Sequence, residues 1–205
     1  MASEPTVYVV DDNQANRLLL QRLMEAVDLP VETFASGQAF LDAYHPEFSG
    51  CLLLDVRMPG MSGLELQNEL HERSISMPVI IVTAHADVPM AVRALKAQAF
   101  EFIEKPFNHQ AMLDTVYRAL EEDARIQTED AARAEIKERL TRLTPRERDV
   151  LDHVVAGTLN KQIAHELGIS VRTVEIHRTR VMKKMETSSL AELVKMVLQI
   201  DSESA

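Results

Sequence analysis

The sequence is poor in the residues that mark secreted, zinc-binding or membrane-spanning proteins. Cys51 is the only cysteine, so a disulfide within the chain is excluded, as is typical of proteins in a reducing compartment. The seven histidines show no metal-ligand spacing, which argues against a zinc site. No apolar run is long enough to cross a bilayer, and residues 1–5 lack the basic and apolar segments of a signal peptide. We therefore expect a cytoplasmic protein without membrane contact.

Aromatic residues are also scarce, and none follows Tyr117. Single-stranded RNA readers stack bases on aromatic side chains, so an RNA-binding output is the less favoured alternative for the C-terminal part. The net charge of −10 is unevenly spread: residues 1–140 hold 12 Lys/Arg against 23 Asp/Glu, and residues 141–205 hold 10 against 9. Within 170–184 five basic residues face one acid, Glu175. Because phosphates respond to local charge, this segment is compatible with DNA binding.

The first 120 residues alternate short apolar runs with segments of helical periodicity. Predicted strands are 7–10, 31–34, 51–54, 79–82 and 100–103, and predicted helices are 14–27, 37–44, 62–73, 87–97 and 109–120. Three of the runs are continuously apolar, which is typical of strands buried on both faces of a parallel sheet. The pattern predicts an α/β, doubly wound, five-stranded parallel sheet with ligands at the carboxyl ends of its strands.

The rest of the chain is predicted to be helical. Residues 123–141 contain no Pro or Gly and form a helical linker, either continuous with the fifth helix or frayed. Beyond it, four short helices are indicated by capping signals, namely a capping box at Thr144–Glu147, caps at Asn160 and Ser170, and a second capping box at Ser189–Glu192. We therefore expect a first domain at 1–122, a linker at 123–141 and a second domain at 142–205.

Polar residues follow four of the five predicted strands. Asp11 and Asp12 follow the first, Asp55 the third, Thr83 the fourth and Lys105 the fifth. Converging carboxylates repel one another unless a cation joins them, and oxygen ligands suit Mg²⁺. A carboxylate nucleophile, a divalent cation, a hydroxyl and an ammonium can together accept and hold a phosphoryl group. Each residue alone has a simpler explanation, such as a helix cap, but the set in register favours this chemistry.

Residues 5–122 resemble the receiver domains of two-component response regulators. The similar motifs are Val9–Asp12, Leu54–Gly60, Val82–His85 and Phe102–Phe107. The resemblance implies a flavodoxin-like fold in which a sensor histidine kinase phosphorylates Asp55. It also implies that Mg²⁺ is bound by Asp11, Asp12, Asp55 and the main-chain carbonyl of Arg57. The phosphoryl group is then expected to be bound by Thr83 and Lys105. The resemblance further implies that Phe102 changes rotamer and that the peptide bond before Pro106 is cis.

An enzymatic alternative is a phosphatase with an aspartyl intermediate. That class usually places its nucleophile after the first strand, with a second acid two residues later. Here the isolated Asp55 follows the third strand. We therefore expect a regulatory protein and not an enzyme.

Residues 171–186 are predicted to form one helix with a basic outer face. Val174, Val181, Met182 and Met185 share its inner side, while Ile176 lies outside among cations, where it could contact a thymine methyl group. A merely basic surface helix is the alternative. The preceding capped helix and the glycine turn at Leu167–Ser170 favour a helix-turn-helix instead.

The segment 142–200 resembles the LuxR-type helix-turn-helix domain, and the whole chain is similar to the FixJ/NarL class of regulators. The motifs are Leu143–Glu147, Val154–Gly157, Asn160–Ala164, Leu167–Ser170 and Thr173–His177. The resemblance implies a transcription regulator that dimerises on phosphorylation and binds double-stranded promoter DNA, with RNA polymerase as a further partner. It implies base contacts from Glu175, Ile176 and Thr179, phosphate contacts from Lys161, Arg172, Arg178 and Lys183, and pairing of subunits through 189–199. Glu186 stands where the family often carries a basic residue.

Overall fold

The structure, a computed structural model, describes residues 4–84 and 88–201. The chain divides into two compact units, Met1–Gln127 and Thr128–Ala205, which we call the first and the second unit. Each has its own buried core. In the described part of the chain, no helix has both the length and the apolar character needed to cross a membrane.

The first unit is built on a parallel sheet. Its strands are β1 (Thr6–Val10), β2 (Val31–Phe34), β3 (Gly50–Leu54), β4 (Val79–Thr83) and β5 (Glu101–Glu104). They pair in the order β2-β1-β3-β4-β5, all parallel, which confirms the predicted five-stranded sheet. The direction of strand succession reverses between β1 and β3. In such sheets, ligands bind at the carboxyl ends of the strands beside this reversal.

Helices cover both faces of the sheet. They are α1 (Gln14–Glu25), α2 (Gly37–Ala43), α3 (Gly63–Glu72), α4 (Val88–Lys96) and α5 (His109–Thr141). Side chains alternate in a strand, so Tyr8 and Val10 of β1 join a core with α2, α3 and α4, whereas Val7 and Val9 join a core with α1 and α5. This is the predicted doubly wound arrangement.

Helix α5 runs unbroken for 33 residues through the segment predicted to be a linker. The boundary between the two units falls inside it. Its last turns carry Ile136, which is 7% exposed and packs in the core of the second unit together with Leu140. The second unit therefore starts before residue 142, because the end of α5 supplies part of its apolar core.

The second unit contains the four predicted helices after α5. They are α6 (Pro145–Val155), α7 (Asn160–Leu167), α8 (Val171–Lys184) and α9 (Leu190–Asp201). Their core includes Val150, Ile163, Val174 and Val181. Helix α7 is capped by Gly168, whose φ of +66° is the left-handed conformation that glycine adopts without strain. The tight turn that follows brings α7 and α8 together as a helix-turn-helix.

The two predicted capping boxes differ in the structure. At the start of α6 both reciprocal bonds form, from the Glu147 main-chain N–H to the Thr144 hydroxyl and from the Thr144 N–H to the Glu147 carboxylate. At the start of α9, Ser189 Oγ accepts from the Glu192 N–H at 3.4 Å. The Glu192 carboxylate, however, accepts from the Thr187 hydroxyl, and the Ser189 N–H donates to that hydroxyl instead of to Glu192. The prediction of a second capping box was thus wrong for one of its two bonds.

Two further local predictions need correction. Asn160 does not cap α7, since Leu159 is the N-cap residue and lacks a capping side chain. The Asn160 side-chain oxygen instead accepts a 2.6 Å hydrogen bond from Arg178 on α8. Helix α8 ends at Lys184 and not at residue 186, because Glu186 has a φ of +56° and leaves the helical conformation.

Candidate functional site

Asp11 and Asp55 lie side by side at the carboxyl ends of β1 and β3. The two strands are adjacent, with Val10 paired to Leu54, and the Asp55 N–H donates to the Val10 carbonyl at 2.9 Å. Asp11 is 2% exposed and Asp55 is 8% exposed. The structure therefore brings together two of the carboxylates that the sequence predicted to converge.

Lys105 bridges these two carboxylates. Its Nζ lies 2.7 Å from Asp11 Oδ2 and 3.1 Å from Asp55 Oδ1. The backbone after β5 is fixed by a 2.8 Å bond from the Lys105 N–H to the Thr83 carbonyl, and the peptide bond to Pro106 is cis, as the resemblance implied. One ammonium group thus partly neutralises two buried negative charges.

The electrostatics of Asp55 follow from this burial. Desolvation raises the pKa of the Asp55 carboxyl above its ordinary value, and the neighbouring Asp11 charge raises it further. Lys105 and the Arg57 main-chain N–H, which donates to Asp55 Oδ2 at 2.9 Å, lower the pKa but do not cancel the effect of burial. A second cation at this site would therefore favour the ionised, nucleophilic form of Asp55.

Two residues that the sequence analysis did not single out hold the acidic loop. Asn16 donates to both carboxylate oxygens of Asp11, at 3.3 and 3.0 Å. Arg17 Nη1 donates to the main-chain carbonyls of Asp11 and Asp12, at 2.6 and 3.0 Å. Their position in the first turn of the helix after the acid pair was the available signal. These bonds fix the direction in which the Asp11 carboxylate points.

The oxygen donors of the site fit a magnesium ion, although Asp12 lies apart. Asp12 is exposed, and among residues 4–84 and 88–201 no three acidic, histidine or cysteine side chains are grouped closely enough to hold a metal. Mg²⁺ is usually bound by only one or two carboxylates and keeps several waters. Asp11 and Asp55 already share one cation, the Lys105 ammonium. The donor set therefore suits a small, hard, hydrated cation.

The loop after Asp55 depends on a glycine that sequence reasoning missed. The Gly63 N–H donates to the Val56 carbonyl at 3.0 Å. A Cβ atom at Gly63 would lie 2.2 Å from the Asp55 main-chain oxygen, which is too close for any residue with a side chain.

The side chain of Arg57 is exposed. Only the main chain of Arg57 therefore needs to serve the site.

Thr83 and Phe102 lie on the neighbouring strands β4 and β5. Thr83 ends β4 and is 1% exposed. Phe102 lies on β5 opposite Ile81 and packs, half-buried, against the core formed with α2, α3 and α4. Ala84 of the predicted motif follows β4, whereas His85 lies outside the described residues.

A second candidate site is the outer face of α8. Glu175, Ile176 and Thr179 are exposed there, and Ile176 has an exposed fraction of 44%. Of the predicted phosphate-contacting residues, three are exposed (Lys161, Arg172 and Lys183), while Arg178 is half-buried against Asn160. The outer face of α8 thus presents the predicted mixture of an apolar side chain and cations. Arg178 is the exception, because its guanidinium donates to Asn160 of α7.

Helix α8 is anchored to α6 by an ion pair whose carboxylate is buried. Lys184 Nζ lies 2.6 Å from Glu147 Oε2, and Glu147 is 3% exposed. Burial alone would raise the pKa of Glu147, but hydrogen bonds from Lys184 and from the Thr144 main chain and hydroxyl outweigh it and lower the pKa to about 2. The carboxylate that caps α6 therefore also fixes the last turn of α8.

Comparisons with known proteins identify a family model for each of the two units. Residues 7–117 match the model of the response regulator receiver domain, and residues 141–197 match that of the bacterial regulatory proteins of the luxR family. The chain is 48% identical to the transcriptional regulatory protein FixJ of Azorhizobium caulinodans over 94% of this chain and 91% of that protein.

Two solved structures resemble the chain over nearly its whole length. The response regulator StyR has a TM-score of 0.80 at 44% identity, covering 96% of this chain and 100% of that one. Full-length FixJ from B. japonicum has a TM-score of 0.59 at 38% identity, covering 98% of both chains.

Proposed function

Because the chain belongs to the LuxR/FixJ-type response regulators, which are phosphorylation-activated DNA-binding transcription regulators and not enzymes, we propose that Asp55 is its phosphoacceptor and α8 its recognition helix. The observation that carries the proposal is the contact of Lys105 with both Asp11 and Asp55 at the carboxyl ends of adjacent strands. This geometry places the proposed nucleophile, the Asp55 carboxylate, beside the ammonium group of Lys105.

The phosphoryl donor is a phosphohistidine of a sensor histidine kinase. An Asp55 carboxylate oxygen attacks the phosphorus in line, forming an acyl phosphate P–O bond as the P–N bond breaks. The bonding electrons return to the histidine nitrogen of the kinase, which takes up a proton. Lys105, already 3.1 Å from Asp55, neutralises the phosphoryl oxygens as charge spreads over them.

The family typically binds Mg²⁺ at the acidic site, and the oxygen donors of this chain fit that ion. We propose that Asp11, Asp55 and the main-chain carbonyl of Arg57 bind it directly and that the exposed Asp12 binds it through one of its waters, with Asn16 and Arg17 orienting the acidic loop. Bound there, Mg²⁺ supplies positive charge for the oxygens of the transferred group.

Phosphorylation is proposed to change the surface formed by α4 and β5. The new acceptor oxygens draw the Thr83 hydroxyl inward, and the space released lets the half-buried Phe102 turn toward the core. Such a shift biases an equilibrium between two conformations that both exist before phosphorylation.

The partner at this surface is proposed to be a second copy of the chain. Val92 is 45% exposed and Glu104 is exposed, while Ala97 and Phe102 are half-buried; β5 is at the edge of the sheet. In a symmetric pair the same patch meets itself. We expect sedimentation velocity to detect a dimer when Asp55 is phosphorylated, and a species that stays monomeric when fully phosphorylated would contradict this.

Helix α8 is proposed to enter the major groove of promoter DNA. Ile176 and Thr179, with Glu175, face base edges, while Lys161, Arg172, Arg178 and Lys183 contact phosphates. Two subunits paired through α9 imply an inverted-repeat operator. The kinase and DNA partners imply a cytoplasmic location, and RNA polymerase is a further proposed partner.

Substitutions on α8 should separate phosphate contacts from base contacts. Lys183→Ala removes a phosphate contact, so we expect weaker binding to all sequences and a salt slope lower by about one unit. Thr179→Ala or Ile176→Ala should instead alter preference at particular base pairs, by about 1–3 kcal/mol for a lost good contact. Fluorescence anisotropy with an operator library across a salt series measures both effects.

A matched control for these variants is Lys137→Ala, which removes an exposed cation from α5. If Lys183→Ala and Thr179→Ala behave like the control, α8 is not the recognition helix. Tighter binding to single-stranded RNA than to duplex DNA would revive the RNA-binding alternative.

A further inference from the structure

The C-terminal end of α8 is joined to the end of α5 by a group of charged side chains. This α5–α8 cluster consists of Glu135, Glu138, Arg139, Arg142 and Glu186, all within the second unit. Its centre is Arg139, whose side chain is 14% exposed. Arg139 Nη1 donates to the Met185 carbonyl at 3.0 Å, and Nη2 lies 2.6 Å from Glu135 and 3.3 Å from Glu186.

The hydrogen bond from Arg139 satisfies a main-chain carbonyl at the end of α8. The last carbonyls of a helix lack intrahelical partners, and the negative end of the helix dipole attracts a cation. Met185 is the C-cap residue of α8, and Arg139 supplies both the donor and the charge. The turn is thereby tied to a helix that is distant in sequence.

Glu186, the residue after the C-cap of α8, pairs with both arginines of the cluster. Arg142 Nη1 lies 3.0 Å from Glu186, but both side chains are about half exposed (47% and 52%), so this pair contributes little by itself. Arg139 is shielded, and its Nε is buried without a hydrogen-bond partner among the described residues. A buried unpaired donor is destabilising, so Arg139 occupies this place at a cost to the fold.

We infer that Arg139 is a positioning residue for DNA binding: by holding Met185 and Glu186 it sets the orientation of the last turn of α8. The inference rests on the proposed role of α8 as recognition helix. Lys183 lies in that turn, two residues before Met185, and Lys184 anchors the same turn to Glu147. When the Arg139 bonds are lost, the turn keeps the Lys184–Glu147 pair and the half-exposed Arg142–Glu186 pair, but its C-cap carbonyl loses its donor and Lys183 no longer meets its phosphate.

The test is DNA affinity of the full-length phosphorylated protein in a double-mutant cycle between Arg139 and Lys183. Arg139→Met keeps the apolar stem and removes the guanidinium. Arg146→Met is the matched control, since Arg146 is exposed on α6 and pairs there with Asp149. Chemical unfolding of each variant identifies conditions in which the second unit stays folded.

We expect Arg139→Met to weaken DNA binding by about tenfold, which is within the range for residues coupled through one network. In that background Lys183→Ala should have little further effect, while Arg146→Met should leave both the affinity and the Lys183 effect unchanged. Arg139→Lys should bind DNA more tightly than Arg139→Met but more weakly than the unchanged protein. It keeps the positive charge, but an ammonium group cannot bond to Met185 and Glu186 with two separate nitrogens as the guanidinium does.

Each result decides between the two proposals. If Lys183→Ala weakens binding equally with and without Arg139, the positioning role is wrong while the DNA-binding role of α8 stands. If Lys183→Ala has no effect in the otherwise unchanged protein, the proposed recognition helix itself fails. Should Arg139→Met not fold, Glu186→Gln and Arg139→Lys take its place. In both, the Lys183 effect must shrink, and an undiminished effect would overturn the inference.

Discussion

Asp55→Asn is expected to abolish phosphorylation of the chain. An acyl-phosphate donor with Mg²⁺ should add one phosphoryl group to the unchanged protein and none to the variant. The reason is that Asp55 alone combines the position after β3, contact with Lys105 and a place beside Asp11. The amide of asparagine is not a nucleophile toward phosphorus under these conditions, so the expected loss is complete. Intact-protein mass spectrometry measures it directly.

A control for general effects of losing a carboxylate is Asp42→Asn. Asp42 is exposed on α2 and accepts a hydrogen bond from Gln38 one turn earlier in the helix, so this variant should be phosphorylated like the unchanged chain. Persistent stoichiometric labelling of Asp55→Asn would mean that another group is the acceptor.

Glu147→Gln is expected to destabilise the second unit by about 3 kcal/mol, the low end for breaking a buried ion pair, because Lys184 is 33% exposed and regains some hydration. The effect should depend on pH. The pKa of Glu147 is lowered to about 2 from a usual value of 4.5, so its stabilisation is present above about pH 4.5 and is lost as the pH falls toward 2.

The measurement is urea unfolding followed by far-ultraviolet circular dichroism. Fluorescence would not report on the second unit, because no Trp, Tyr or Phe follows Tyr117. The difference between the unchanged protein and Glu147→Gln should be largest near neutral pH and shrink between about pH 4.5 and 2. Asp149→Asn serves as control, because Asp149 is a half-exposed acid on the same helix. A difference that is constant over this range would show that the carboxylate charge is not responsible.

Much of the fold could be predicted because apolar runs and helical periodicity report burial directly. The buried runs at Val7–Val10, Cys51–Leu54 and Val79–Val82 became the central strands, and the glycine turn at Gly168 joined α7 to α8. The convergence of Asp11, Asp55 and Lys105 also followed, because parallel strands end at one edge of the sheet.

What the sequence could not give depends on side chains that meet only in the folded unit. Asn160 has the residue type of a helix cap, but Arg178, on another helix, takes its oxygen. Glu186 looked like the loss of a basic residue until the structure placed Arg139 and Arg142 beside it. These pairs lie 18 or more residues apart in the chain and on different elements, so neither local propensity nor periodicity could indicate them.

The central claim is that phosphorylation of Asp55 promotes DNA binding through α8. Its most direct test is the affinity of the full-length protein for an inverted-repeat operator, measured by anisotropy at one salt concentration with and without a phosphoryl donor. We predict tighter binding with the donor, no change on adding the donor to Asp55→Asn, and weaker binding by Lys183→Ala in both states. Equal affinity of the phosphorylated and unphosphorylated chain, with Asp55 shown to be fully modified, would contradict the account.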